Sequence, residues 1–117
     1  MTCFNVIRAP VYSGRDNIIS LLIKADGDVL ADLSGVTRVT VDMDGGVTVL
    51  DSDIVGGSVI WWTDSTTYRG ETVDLLRLQL GDQGITAGTY EDVAIIVYDS
   101  TYTNGLQVEN DIRITVS

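Results

Sequence analysis

The sequence contains no histidine, one cysteine, one proline and one lysine among its 117 residues. Without histidine, a Ser-His-Asp or Cys-His catalytic arrangement and an ordinary zinc site are excluded. The single cysteine, Cys3, excludes an intrachain disulfide. No apolar run reaches the roughly 18 residues of a membrane-spanning helix, and residues 1–16 lack the basic and long apolar regions of a signal peptide. We therefore expect a non-enzymatic protein that stays in a cytoplasm or is assembled there into something larger.

Positive charge is also scarce, because 7 basic residues stand against 17 acidic ones and give a net charge of −10. Non-specific affinity for nucleic acid and for anionic membranes comes mainly from lysine and arginine, so neither partner is expected. The mean hydropathy of +0.20 is nevertheless high for so acidic a chain. A domain of this size buries only about two-thirds of its unfolded-chain surface. The combination indicates an exposed apolar surface that serves for interaction.

Residues that favour strands dominate the composition. Valine (15), isoleucine (11) and threonine (13) make up a third of the chain, against 5 alanines. Branching at Cβ stiffens these side chains and suits them to a pleated sheet. The acidic residues divide into 14 aspartates, which favour turns, and 3 glutamates, which would favour helix surfaces. The composition predicts an all-β fold.

The order of apolar and polar residues predicts seven to eight strands separated by turn-forming residues. The alternation is clearest in residues 36–43, where Val39, Val41 and Met43 share one face. The predicted strands occupy 17–24, 36–43, 47–50, 59–62, 73–80, 93–98 and 106–116. This spacing is typical of a β-sandwich, which we assign to residues 17–117 as one domain. Residues 1–16, interrupted by Pro10, are predicted to form an irregular N-terminal arm laid along a neighbour, or an edge strand.

The segment from Ile85 to Tyr90 carries a more specific signal. Gly88 followed two residues later by Tyr90, at the opening of an apolar strand, is the pattern of a tyrosine corner. In that motif the tyrosine hydroxyl hydrogen-bonds to the upstream backbone of an immunoglobulin-like sandwich. The pattern therefore favours an antiparallel sandwich of the immunoglobulin-like type.

Aromatic and arginine side chains are the candidates for contact with a partner. Trp61 and Trp62 are adjacent, so one faces the core and the other faces outward. An outward tryptophan favours a protein interface, with a sugar-stacking platform as the alternative. Tyr102 lies in the loop 99–105, where a sandwich places its contact loops. The predicted partner-contacting set is Trp61, Trp62, Tyr68, Tyr102, Arg8 and Arg15.

Aspartates recur in pairs that raise the question of a metal or of catalysis. The pairs are Asp26/Asp28, Asp42/Asp44 and Asp51/Asp53. Oxygen-rich loops suit calcium, yet none of the pairs continues as a calcium-binding loop, and turn formation explains them. Glycoside hydrolysis by two carboxylates would need a sugar-binding cleft, for which a chain of this length has little room. We expect no metal, no cofactor and no catalytic residue.

Three segments together resemble a known family. They are DGDVLADLSGVTRVTVDMDGG, ITAGTYEDVAIIVYDS and NGLQVENDIRITVS, and they resemble small immunoglobulin-like domains in virion proteins of tailed bacteriophages over residues 17–117. The resemblance implies a structural protein of the virion, assembled in the host cytoplasm. It implies a capsid decoration protein that binds the major capsid protein or other virion proteins, and that can be a homo-oligomer on the particle. A tail, neck or baseplate accessory protein is the alternative, and a carbohydrate-binding or adhesion module is the alternative of another class.

Overall fold

Stretches rich in valine, isoleucine and threonine form the strands, as their stiff side chains predict. The structure is a computed structural model that describes residues 6–25, 28–109 and 111–117. In chain order its elements are β1 (Val6–Val11), β2 (Ile19–Leu21), β3 (Lys24–Ala25), β4 (Asp28–Val29), β5 (Val36–Asp42), β6 (Val49–Asp51), α1 (Ser52–Val55), β7 (Ile60–Tyr68), β8 (Glu71–Leu78), β9 (Gly88–Asp99), β10 (Leu106–Gln107) and β11 (Asp111–Val116). The prediction of an all-β fold is confirmed.

The strands form three sheets. The largest has the order β1-β11-β9-β5-β6, with β10 also paired to β9. In it β1 runs parallel to β11 and the other neighbours are antiparallel. The second sheet has the antiparallel order β2-β8-β7, and β3 pairs with β4 alone. No helix in the described part of the chain has the length and apolar character needed to cross a membrane.

The two larger sheets contribute side chains to one hydrophobic cluster. Val39 and Val41 on β5 and Met43 directly after it are buried, as their alternation predicts. The second sheet adds Leu76 and Leu78 to the same cluster. Since burial of apolar surface is the dominant favourable term in folding, this shared cluster holds the two sheets together.

The N-terminal segment predicted as an arm or edge strand forms strand β1 in its described part. β1 lies at one edge of the large sheet, and Ala9 and Val11 are buried in the common cluster. The residues that follow also contact the fold, because Ser13 donates its N–H to the carbonyl of Ser117 at 3.0 Å. Residues 1–5 lie outside the described residues. The described part of the segment is thus built into the domain rather than laid along a neighbour.

Two predicted strands are each divided in the structure. The predicted strand 17–24 is divided into β2 and β3, and Ile18 is exposed rather than covered on both faces. Asp26 and Gly27, which follow this predicted strand, lie outside the described residues. The predicted strand 106–116 is divided into β10 and β11. β2 and β3 pair with different strands, β8 and β4, whereas β10 and β11 both pair with β9, and the apolar pattern does not reveal these pairings.

The polar stretch after Trp62 was expected to follow a short strand, and this expectation is wrong. β7 continues to Tyr68 and returns as β8. The reversal occurs at Arg69 and Gly70, whose φ angles are +52° and +80°. A two-residue turn with positive φ at both positions matches the twist of the strands it joins. Threonines, which favour strands, therefore extend the hairpin even though they bury nothing.

Tyr90 lies near the start of β9, two residues after Gly88, which opens the strand. Its hydroxyl donates a hydrogen bond of 2.6 Å to the backbone carbonyl of Thr86. The side chain is half-buried and packs against the hydrophobic cluster. The bond ties the connection before β9 to the strand itself.

We expect Tyr90→Phe to lower the free energy of unfolding by about 1 kcal/mol, because the Thr86 carbonyl loses its hydroxyl donor. Tyr102→Phe is the matched control, since no described residue hydrogen-bonds to the Tyr102 hydroxyl. Urea unfolding of both variants measures the difference. Equal stability of the two variants would show that the Tyr90 hydroxyl bond contributes nothing.

Candidate functional site

The two tryptophans lie on opposite faces of β7, but neither is exposed. Trp62 packs against the hydrophobic cluster and donates its indole N–H to the carbonyl of Val36 at 3.1 Å. Trp61 is half-buried and donates its indole N–H to Asp64 Oδ2 at 2.8 Å. The Arg77 Nε lies 3.2 Å from the same oxygen, in an ion pair that lacks hydrogen-bond alignment. The expectation of an exposed outward indole is therefore corrected.

Trp61 is half-buried and not exposed because β7 is irregular next to it. The register with β8 shifts between Trp61 and Asp64, so that β7 contains one more residue than β8 over this stretch. Such a bulge increases the local twist and redirects side chains. At this bulge the Asp64 carboxylate lies close to Trp61 and Arg77. The outward indole is therefore hydrogen-bonded within the chain and is not free to contact a partner.

The other predicted contact residues are exposed but belong to different elements. Tyr68 ends β7, and the guanidinium of Arg69 lies 5.2 Å from the centre of its ring. Tyr102 lies in the loop 99–105, whose backbone is ordered by the Asp99 carboxylate. Arg8 lies on β1 and Arg15 lies in the connection after it. No hydrogen bond, ion pair or ring contact joins any two of the six predicted residues, all of which the structure describes.

The structure leaves a short apolar segment exposed that the sequence alone did not single out. We name it the β6–α1 patch, and it consists of Val47, Val49 and Ile54. Their exposed fractions are 85%, 49% and 82%. All three lie within eight residues: Val47 in the connection before β6, Val49 on the edge strand β6, and Ile54 in the single turn of helix that follows it. Exposed aliphatic side chains grouped in this way mark an interaction surface.

An ion pair fixes the C-terminal side of this patch. Asp51 accepts hydrogen bonds from Arg38 on the neighbouring strand, at 3.0 Å and 3.2 Å from Nε to its two oxygens and at 2.5 Å from Nη2 to Oδ2. The same carboxylate accepts the backbone N–H of Asp53 at 3.0 Å and caps α1. The Arg38 hydrogen bonds lower the pKa of Asp51 below its ordinary value, and the carboxylate raises the pKa of Arg38. The pair therefore stays charged near neutral pH, and it holds the start of α1 against the sheet.

Further contacts hold α1 and the Arg38 side chain in place. The Ser52 hydroxyl accepts the backbone N–H of Val39 at 2.9 Å, so the first residue of α1 is bound to β5. The Arg38 guanidinium also lies 4.8 Å from the centre of the Tyr98 ring. Because Ile54 extends from a turn fixed at several points, its exposure is a property of the folded domain and not of a loose loop.

Aspartates order the hairpin on the other side of the patch. Asp42 Oδ1 accepts the backbone N–H of Gly46 at 2.8 Å, and Asp44 Oδ1 accepts that of Thr48 at 2.6 Å. Carboxylates of this kind stabilise turns by bonding to backbone groups a few residues on. In the described part of the chain no group of three or more acidic or cysteine side chains is placed to hold a metal ion.

Acidic residues neighbour the patch in the sequence. Asp44 and Asp53 are both exposed, and Asp53, whose side chain is 65% accessible, has its Oδ2 3.7 Å from Arg38 Nε. An apolar surface with carboxylates at its border is complementary to an apolar partner surface bordered by lysine or arginine. No family model, no curated protein and no solved structure matches this chain.

Proposed function

We propose that this chain is a non-enzymatic structural protein of a tailed-bacteriophage particle, a capsid decoration protein that binds the assembled major capsid lattice through the β6–α1 patch. The observation that carries the proposal is the rigid exposure of Val47, Val49 and Ile54 at a sheet edge. The resemblance of residues 17–117 to phage virion domains supports the identity of the particle. The net charge of −10 supports a place on the outer surface and not against the packaged DNA.

The same proposal assigns an immunoglobulin-like sandwich to the two larger sheets. The order β2-β8-β7 corresponds to strands B, E and D of that fold, and β5, β9 and β11 correspond to C, F and G. β6 then corresponds to the additional strand C′ of variable-type domains. The hydroxyl bond of Tyr90 near the start of β9 supports the assignment, because the tyrosine corner lies at the start of strand F.

Decoration acts by mass action under this proposal. A ligand that binds only the assembled lattice stabilises that lattice against dissociation. Full burial of one valine or isoleucine side chain contributes about 1.5–3 kcal/mol, so the three members of the patch suffice for a weak site. Because a capsid repeats the site many times, weak individual binding still covers the shell.

Cryo-electron microscopy of purified virions that encode this chain tests the proposal. We expect density for the domain repeated over the icosahedral shell, with the β6–α1 patch turned towards the capsid. A few copies at the neck or tail would replace decoration by the tail-accessory alternative. Absence from the particle would overturn the virion assignment and leave binding to a glycan array as the next measurement.

Ile54→Ser tests the role of the patch itself. Ile54 would become buried on binding, and its loss should weaken binding to particles that lack this protein by about tenfold or more, since 1.4 kcal/mol corresponds to a factor of ten. Ile18→Ser is the matched control, because Ile18 is also exposed but lies before β2, outside the patch. The measurement is the number of copies bound per particle after sedimentation. Equal losses for the two variants would place the capsid contact elsewhere.

A further inference from the structure

β7 is a long sheet edge whose outer half lacks the usual protection. The sheet order β2-β8-β7 leaves one side of this nine-residue strand without a neighbour among the described residues. Other edges are guarded: β1 contains Pro10, and β2 and β6 have three residues each. The bulge and Asp64 lie in the inner half of β7; from Ser65 to Tyr68 the edge has neither proline nor a charged residue, which natural proteins use to prevent strand pairing.

The outer half of the β7–β8 hairpin is exposed on both faces. Every residue from Ser65 to Thr72 is exposed. Because successive side chains in a strand point to opposite faces, exposure of consecutive residues means that neither face is covered by the described part of the chain. This half of the hairpin therefore extends beyond the core with its edge accessible.

The backbone groups at this edge point outward at known positions. Asp74 lies opposite Ser65, yet it donates its N–H to the carbonyl of Ala31 at 2.8 Å, away from β7. Ser65 and Asp74 therefore form a pair without mutual backbone hydrogen bonds. Bonded and non-bonded pairs alternate along an antiparallel ladder, so Thr67 and Thr72, two residues further on, also form a non-bonded pair. Ser65 and Thr67 thus direct their N–H and carbonyl groups away from β8, where no described residue bonds to them.

We propose that β7 pairs antiparallel with β7 of a second copy of this chain, about a two-fold axis at Thr66. This register sets Ser65 opposite Thr67 of the second copy, and the outward backbone groups form about four hydrogen bonds. It sets Asp64 opposite Tyr68 of the second copy. The two three-stranded sheets become one continuous sheet with the order β2-β8-β7-β7-β8-β2.

A second copy is the appropriate occupant because the segment is complementary to itself. Residues 63–70 contain one aspartate and one arginine and are neutral, within a chain of net charge −10. In the proposed register no like charges are opposite each other, and an isologous contact of one segment with itself closes as a dimer. Two copies of this acidic chain can therefore approach along this segment without local charge repulsion.

The same charges give the dimer a distinctive salt dependence. Two chains of net charge −10 repel each other over long distances, and salt screens this repulsion while it leaves backbone hydrogen bonds almost unaffected. The contact is small compared with a standard interface, so the association is weak. Dimerisation should therefore strengthen as salt is added, which is opposite to association driven by ion pairs.

Sedimentation velocity of the purified full chain tests the proposal without any particle, so its outcome is independent of the proposed virion role. Across a concentration series, we expect a shift from monomer to dimer as sodium chloride rises from about 0.01 M to about 1 M, where the Debye length falls from about 30 Å to about 3 Å. Thr67→Pro removes an outward N–H and should abolish the dimer. Thr72→Pro, the matched control opposite it in the hairpin, removes an N–H on the other edge and should dimerise normally.

A charge substitution makes the result independent of how well proline is tolerated. Thr66→Asp puts two carboxylates at the two-fold axis and should abolish the dimer, whereas Thr72→Asp should not. Circular dichroism checks that each variant is folded. A chain that stays monomeric at high salt would overturn the proposal, and so would equal behaviour of the Thr66 and Thr72 variants. If Ile54→Ser abolished the dimer while Thr66→Asp still dimerised, the contact would belong to the β6–α1 patch, and this result would also overturn the proposal.

Discussion

Gly81→Ala is expected to lower the free energy of unfolding by about 3 kcal/mol or more. A Cβ atom at this position would overlap the backbone carbonyl oxygen of Arg15 and lie 2.8 Å from that of Tyr12. Both neighbours are backbone atoms, so no rotation of a side chain relieves the overlap. The connection after β1 would have to move, and the bond from Gly14 N–H to the Gly81 carbonyl at 2.8 Å would be lost with it.

Gly57→Ala is the matched control for this prediction. A Cβ atom at Gly57 meets nothing within 4 Å, and its φ angle is not in the left-handed region. Replacing glycine at such a position stabilises a protein by about 0.4–1 kcal/mol, because the unfolded chain loses conformational freedom. Guanidinium unfolding of both variants measures the two effects, which should have opposite signs. A Gly81→Ala variant as stable as Gly57→Ala would show that residues 12–15 do not pack on Gly81.

The parts of the fold that could be predicted from sequence are those where one face is buried and the other is not. In β5 the alternation of Val39 and Val41 with polar residues indicates the strand and the face that packs in the core, because the side-chain period of a strand is two; the burial of Thr40 on the other face does not follow from this pattern. Tyr90 is a second case, since its bond to Thr86 is local and depends on a short spacing. Local patterns of this kind need no knowledge of the tertiary neighbours.

The outer half of the β7–β8 hairpin could not be predicted because it buries nothing. Thr66, Thr67 and Tyr68 are exposed, so their sequence has no apolar period that would indicate a strand. The strand is specified instead by pairing with β8 and by the turn at Arg69-Gly70. The hydrogen bond from Trp61 to Asp64 could not be predicted either, because it depends on a bulge in β7 that is visible only in the pairing register with β8.

The β6–α1 patch was missed because the sequence reading treats apolar residues as buried. Val47 and Val49 were assigned to a return strand, and Ile54 to a loop rich in turn formers. Their exposure follows from position: β6 is the last strand of its sheet, and α1 is a single turn with no buried residue. The high mean hydropathy indicated that an apolar surface existed, but it did not locate that surface.

Removal of residues 1–11 is expected to abolish cooperative folding. Ala9 and Val11 are only 7% and 4% exposed, so the deletion removes two core side chains. It also removes the parallel pairing along all six residues of β1 and uncovers the edge of β11. We expect a loss of about 5 kcal/mol or more, which is comparable with the total stability of a small domain. Without β1, the buried face of β11 would become accessible to water.

Thermal unfolding followed by circular dichroism measures this effect, and two point variants separate packing from chain length. Val11→Ala should cost about 2 kcal/mol because it leaves a cavity in the cluster. Its neighbour Tyr12→Ala should cost little, since Tyr12 is exposed. A truncated protein that still unfolds cooperatively near the wild-type midpoint would mean that β1 is dispensable. The segment would then act as an arm for a partner, and the buried positions of Ala9 and Val11 would contribute nothing to stability.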